Sequence, residues 1–121
     1  MKLSSVHHAQ ITIPPGAEEK ARAFYCGLLG LREILKPEPL RSRGGFWLEL
    51  EGFQIHVGTE NFDGRIKTKA HLAYLVEDLD NWRVKLEAEN ISVRDGVGIE
   101  GFRRFEFRDP FGNRVEFLQK A

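Results

Sequence analysis

Residues 102–118 read FRRFEFRDPFGNRVEFL. The central Asp109-Pro110-Phe111-Gly112-Asn113 is strong turn chemistry. Proline pre-sets its φ, glycine accepts positive φ, and Asp and Asn side chains bond to nearby backbone. The flanks, Phe102 to Phe107 and Arg114 to Leu118, therefore predict a hairpin. In its second strand Val115 and Phe117 face one way, and Arg114 and Glu116 face the other. Upstream, Ala70 to Val76 predicts a strand and Leu79 to Ala88 a helix. Leu79, Trp82 and Leu86 mark the apolar side of that helix, and Asp78 is placed to cap it. Ile91 to Val93 predicts a short strand, followed by a loop, Gly96 to Gly101, that carries three glycines.

The first half repeats this order. Val6 to Ile13 alternates: Ala9, Ile11 and Ile13 share one face, and His8, Gln10 and Thr12 the other. Pro14-Pro15-Gly16 ends that strand. A helix is predicted from about Ala17 to Leu29 on the spacing of Ala21, Phe24, Tyr25, Leu28 and Leu29, with Gly30 as its stop. Leu31 to Leu35 predicts a short strand and Pro37 to Gly45 a basic, turn-rich loop. Phe46 to Leu50 and Phe53 to Val57 predict a hairpin across Glu51-Gly52. The repeat has a register: 63 residues separate His8 from His71, and 60 separate His56 from Glu116. Repetition of this kind is a stronger fold signal than any single propensity. The expectation is an α+β fold: one domain, 1–121, of two βαβββ modules whose curved mixed sheets surround a concave site. Module 1 is about 1–58, module 2 about 70–121, and 59–69 links them.

Composition narrows the function classes. The chain has 121 residues, enough for one ordinary domain. Lys and Arg number 18, as do Asp and Glu, so no net charge draws it to nucleic acid or an anionic membrane. No apolar run approaches the roughly 20 residues needed to span a bilayer, and Met1 to Gln10 shows no signal-peptide pattern. The lone Cys26 fits a reducing compartment. A cytoplasmic location is expected.

Four potential metal ligands occupy repeat-equivalent places. His8 and His71 lie in the first strand of each half, His56 and Glu116 in the last. Parity puts His56 with Gln54 and Gly58, away from the apolar face, and His71 with Ala73 and Leu75. Three imidazoles and a carboxylate suit a borderline divalent cation. Packed or surface positions would equally accommodate isolated strand histidines, so spacing leaves both readings open. His7 falls on the Ala9 face, which places it beneath the sheet or at its edge. Glu49 and Glu60 read as surface carboxylates. Arg41, Arg43, Arg103 and Arg104 are candidate anion contacts, and Trp47 and Phe102 candidate pocket walls.

The opening HAQITIP, the helix KARAFYCGLLGL, and FQIHVG, AHLAYLVEDL and RDPFGNRVEFLQ together resemble the vicinal-oxygen-chelate superfamily. That group includes glyoxalase I, fosfomycin-modifying transferases, extradiol dioxygenases and bleomycin-resistance proteins. The resemblance covers essentially the whole chain. It implies paired βαβββ modules, often paired across subunits of a homodimer. It also implies one divalent metal ion per chain (zinc, nickel, iron, cobalt or manganese), held by His8, His56, His71 and Glu116, with His7 outside the set. Glu116 would double as the proton-transferring carboxylate, and Trp47, Phe102, Arg103 and Arg104 would meet substrate. A metal-dependent lyase, isomerase or transferase follows, acting on a small oxygen-bearing substrate. The alternative is a drug-binding resistance protein without catalysis. Two departures from glyoxalase I stand out. His56 occupies a position usually held by a carboxylate, and Thr12 stands where an arginine contacts glutathione.

Overall fold

The computed structural model describes all residues, 1–121. The chain forms two compact units, Met1–Asp63 and Gly64–Ala121, whose boundary falls inside the predicted 59–69 linker. In the first unit β1 is His8–Ile13, β2 Arg32–Ile34, β3 Phe46–Leu50 and β4 Phe53–Thr59. They form one four-stranded sheet in the order β1-β4-β3-β2. β1 runs parallel to β4, and the other two pairings are antiparallel. A parallel pair cannot be joined by a tight turn, so the chain between β1 and β2 crosses over as a helix. That helix, α1 (Glu18–Arg22), continues directly as a π-helix, Ala23–Leu28.

The π segment departs from the single α-helix that the spacing predicts. Its wider ladder is visible in the Leu29 N–H bond to the Phe24 carbonyl, 2.9 Å. In this segment two consecutive aromatics, Phe24 and Tyr25, are both buried, edge to face at 5.0 Å. They join Ile13, Ala21, Phe46, Leu48, Ile55 and Val57 as the core of this unit. Arg22 lays its guanidinium over the Phe46 ring, 4.8 Å from the centroid, and donates to Glu33. The loop predicted at 37–45 contains a 3-10 helix, Glu38–Arg43.

The second unit repeats the plan. β5 is His71–Leu75, α2 Leu79–Ala88, β6 Arg94–Asp95, β7 Phe102–Arg108 and β8 Arg114–Lys120. The sheet order is β5-β8-β7-β6, again with the first and last strands parallel. Its core is Leu79, Leu86, Phe105, Phe107, Val115 and Phe117. The bounds of α2 match the predicted ones, and Asp78 accepts the Asn81 N–H at 3.2 Å. The short strand expected at Ile91–Val93 is displaced to Arg94–Asp95. Residues 90 and 91 instead close the helix: Asn90 takes φ 60°, and the Ile91 N–H bonds to the Leu86 carbonyl at 3.1 Å. With the Asn90 bond to Glu87, this is a Schellman cap. The closing turn is held by Asp109, whose buried carboxylate accepts from the Phe111 and Asn113 backbone and from the Asn113 amide at 2.8–2.9 Å.

One glycine is sterically required. Gly45 has φ 78°, and a Cβ there would sit 2.0 Å from the Val57 carbonyl oxygen. Gly45→Ala is expected to destabilise the first unit by about 3 kcal/mol or more, since backbone and β4 would have to part. Gly30→Ala, also at positive φ but with open space around it, should cost only about 1–2 kcal/mol. Urea denaturation of both variants checks the contrast, and equal losses would contradict this role of Gly45.

Candidate functional site

Strand pairing places the four predicted ligands as two pairs, one in each unit. In the first, Gln10 is the register partner of His56, and Trp47 is its partner on the opposite side. These residues and His8 therefore share the polar face of the sheet. His8 and His56 stack with ring centroids 4.0 Å apart and planes 17° apart. Trp47 stacks on His56 at 3.7 Å and 2°. The His56 Nε2 lies 3.0 Å from Gln54 Oε1, so with Gln54 accepting, that nitrogen carries the proton. Ligation through Nε2 requires the Gln54 amide to turn or release.

His56 is only 6% exposed. Its pKa is lowered to about 4, first by burial and then by the positive charge of His8, His7 and Lys36. The imidazole is therefore neutral at neutral pH, the form a metal needs. His7 lies just before β1, exposed rather than beneath the sheet. Its Nδ1 meets the His8 Nδ1 at 3.0 Å, so one ring donates to the other and together they fix His8.

In the second unit, Ala73 is the register partner of Glu116, so His71 and Glu116 share a face. The His71 Nδ1 lies 2.8 Å from the Lys69 carbonyl oxygen. A carbonyl only accepts, so Nδ1 carries the hydrogen and the neutral ring keeps its lone pair on Nε2. That lone pair meets Glu116 Oε1 at 3.2 Å. A metal ion seated beside them would take both lone pairs. Glu116, 4% exposed, also accepts from Arg104 Nη1 at 2.9 Å on the same oxygen. Arg104 is itself held by the Val97 carbonyl at 2.8 Å, and a Cβ at Gly96 would come within 2.9 Å of its guanidinium carbon. A glycine at 96 thus gives this arginine its place beside the carboxylate.

Neither unit gathers three or more His, Cys, Asp or Glu side chains around one point. The donor chemistry fits a divalent cation well at His71 and Glu116, and at His56 only with movement of Gln54. The other candidates are placed as follows. Trp47 lines a groove of about 560 Å³ in the first unit together with His8, His56 and Arg43. Phe102 is half-buried at the start of β7. Arg103 alternates away from Arg104 and is engaged by Asp80 on α2 at 2.6 Å. Arg41 donates to the Lys36 carbonyl. Glu60 accepts from Thr12, and Glu49 pairs with Arg32.

The sequence model of the glyoxalase/bleomycin resistance protein/dioxygenase superfamily matches residues 6–117. The chain belongs to this superfamily. A glyoxalase family protein from Bacillus anthracis is 38% identical over 100% of this chain and 98% of its own, with a TM-score of 0.91. Two more distant structures share the fold. A fosfomycin resistance protein from Listeria monocytogenes is 16% identical, with 99% and 96% coverage and a TM-score of 0.77. An antibiotic binding protein from a Streptomyces species is 18% identical, with 99% and 100% coverage and a TM-score of 0.73. No protein of curated function matches the sequence. No helix is long and apolar enough to cross a membrane.

Parity found His8, Gln10, Gln54 and His56 together. It missed Lys69, whose contribution is a backbone carbonyl and carries no side-chain signature. It also missed Lys36, brought into the groove by a loop without periodicity.

The protonation state of His56 is open to test. Its native pKa lies near 4 against an ordinary 6.5, so the unfolded chain takes up this proton first. The stability contributed by neutral His56 is full above about pH 6.5 and is lost as pH falls towards 4. Nuclear magnetic resonance titration of the imidazoles in metal-free protein should show one histidine still neutral at pH 5. Titration of His56 near 6.5 would contradict the burial argument.

Proposed function

We propose that this chain is a metal-dependent enzyme of the glyoxalase type, a lyase, isomerase or transferase acting on a small oxygen-bearing substrate. The observation that carries the reading is the His71–Glu116 pair. The Lys69 carbonyl fixes the proton on Nδ1, and Nε2 faces a buried carboxylate oxygen at 3.2 Å. His8, His56, His71 and Glu116 would hold one divalent cation per chain (zinc, nickel, iron, cobalt or manganese). When bound, such a cation polarises substrate oxygens and stabilises negative charge developing on them.

The remaining steps belong to the chain. Glu116 takes the proton alpha to a substrate carbonyl. Arg104 donates to Glu116 and sets its orientation. His71 is locked in one tautomer, and buried His56 stays neutral. Trp47 shields His56 from one side. Phe102, Arg103 and Arg104 would contact substrate, Arg103 only by leaving Asp80. A homodimer is part of the same reading. Each sheet is open with two unpaired edges, and Leu75 on edge strand β5 is 63% exposed. The single free Cys26 supports a reducing, cytoplasmic setting.

A second reading, a small-molecule binding protein without catalysis, draws on the Trp47–His56–His8 ring stack beside the groove. Elemental analysis of untagged protein separates the two. About one divalent ion per chain is expected, lost in His8→Ala and His71→Ala and kept in His7→Ala. Affinity should fall as pH drops through roughly 7 to 6, where free imidazoles protonate. Glu116→Gln should cut any proton-transfer rate by about 10²- to 10⁴-fold. Protein that binds no metal at neutral pH would favour the binding reading.

A further inference from the structure

The groove in the first unit is lined by two formally charged side chains, and both are cations: Lys36 and Arg43. No carboxylate lines it, although the chain as a whole carries equal numbers of acids and bases. The Glu18 carboxylate beside it accepts the Gly45 N–H at 3.3 Å and is not a lining group. The Glu60 carboxylate is engaged by Thr12. Lys36 spends one of its three N–H groups on the Gly44 carbonyl at 2.6 Å. Arg43 makes no hydrogen bond or ion pair. Two cations over a partly enclosed surface, with the nearby carboxylate, Glu18, turned to the Gly45 N–H rather than lining the groove, attract an anion.

The rest of the lining fits the other parts of such a ligand. Leu40 and Trp47 supply an apolar wall. Gln10 and Thr59 supply neutral donors and acceptors. A Cβ at Gly58 would come within 2.8 Å of the Gln10 amide nitrogen, so the glycine makes room for that amide. A volume of about 560 Å³ suits a small metabolite rather than a polymer.

We propose that this groove binds the oxyanion end of a small organic ligand, a carboxylate, phosphonate or phosphate, through Lys36 and Arg43. An unsaturated or apolar body of the ligand packs against Leu40 and Trp47. His8 and His56 line the same groove, so the ligand's place next to a metal rests on the proposed function; the anion recognition does not. It names the substrate class as anionic, and excludes cationic or neutral compounds as good ligands.

The test uses full-length protein treated with a chelator, so that no metal contributes. Phenylphosphonate and neutral benzamide are titrated in turn at low salt, followed by calorimetry and by the shift of the Trp47 indole N–H resonance. Phenylphosphonate should bind and move that resonance, and benzamide should not. Arg43→Met should weaken binding about tenfold, as loss of a charge-assisted hydrogen bond does. Lys36→Met should do the same, and Arg43 covers the case in which the Lys36 variant disturbs the Gly44 loop. Lys120→Met, on β8, should leave binding unchanged. Equal binding of benzamide, no binding without metal, or full binding by both Lys36 and Arg43 variants would overturn the proposal. Intact phenylphosphonate binding in a protein that never takes up metal would sustain the proposal and remove the enzymatic reading alone.

Discussion

In each unit the first strand lies parallel against the last, β1 on β4 and β5 on β8. Much of the chemistry depends on that ladder. It brings residues from the two ends of a sixty-residue repeat to neighbouring positions on one face of a sheet. Gln10 sits opposite His56, and Ala73 opposite Glu116. A crossover helix is the physical condition for the pairing, because a parallel ladder needs a long connection. The helix also covers the apolar face, where Ile55 and Val57 or Val115 and Phe117 are buried. The polar face is thereby left for ligand chemistry.

Within that frame, protonation is set by hydrogen bonds that are not themselves chemical groups of the site. The Lys69 carbonyl fixes which nitrogen of His71 is free. Arg104 adds positive charge to Glu116 and is positioned by the Val97 carbonyl and by the open space at Gly96. His56 is neutral because burial and neighbouring cations disfavour its charged form. These supports prepare ligands in the ionic states that a cation requires. The fold is shared by a fosfomycin resistance protein and an antibiotic binding protein, so function here is argued from the site.

How much of this was legible in the sequence follows from what period-two alternation and turn chemistry can encode. The closing turn at Asp109–Asn113, the helix after Asp78 and the shared face of His8 and His56 all rest on local pattern, and the structure has them. The π-helix at Ala23–Leu28 does not show in spacing, because Ala21, Phe24, Tyr25 and Leu28 fit an ordinary α-helix equally well. The strand expected at Ile91–Val93 gave way to a helix cap that uses Asn90 at positive φ, a position where asparagine is tolerated but not diagnostic. Gln54, a parity neighbour of His56, was visible as a residue on the right face. Its effect on the His56 proton depends on a 3.0 Å contact that no pattern reveals.

The central proposal is that His8, His56, His71 and Glu116 hold one divalent cation. X-ray absorption spectroscopy of cobalt-loaded protein tests it most directly, because it counts scatterers around the ion. A first shell of nitrogen and oxygen only is expected, with outer-shell scattering from three imidazoles, of which one is lost in His8→Ala and one in His71→Ala. A shell containing at most two imidazoles, or one that loses an imidazole in His7→Ala and none in His8→Ala, would contradict it.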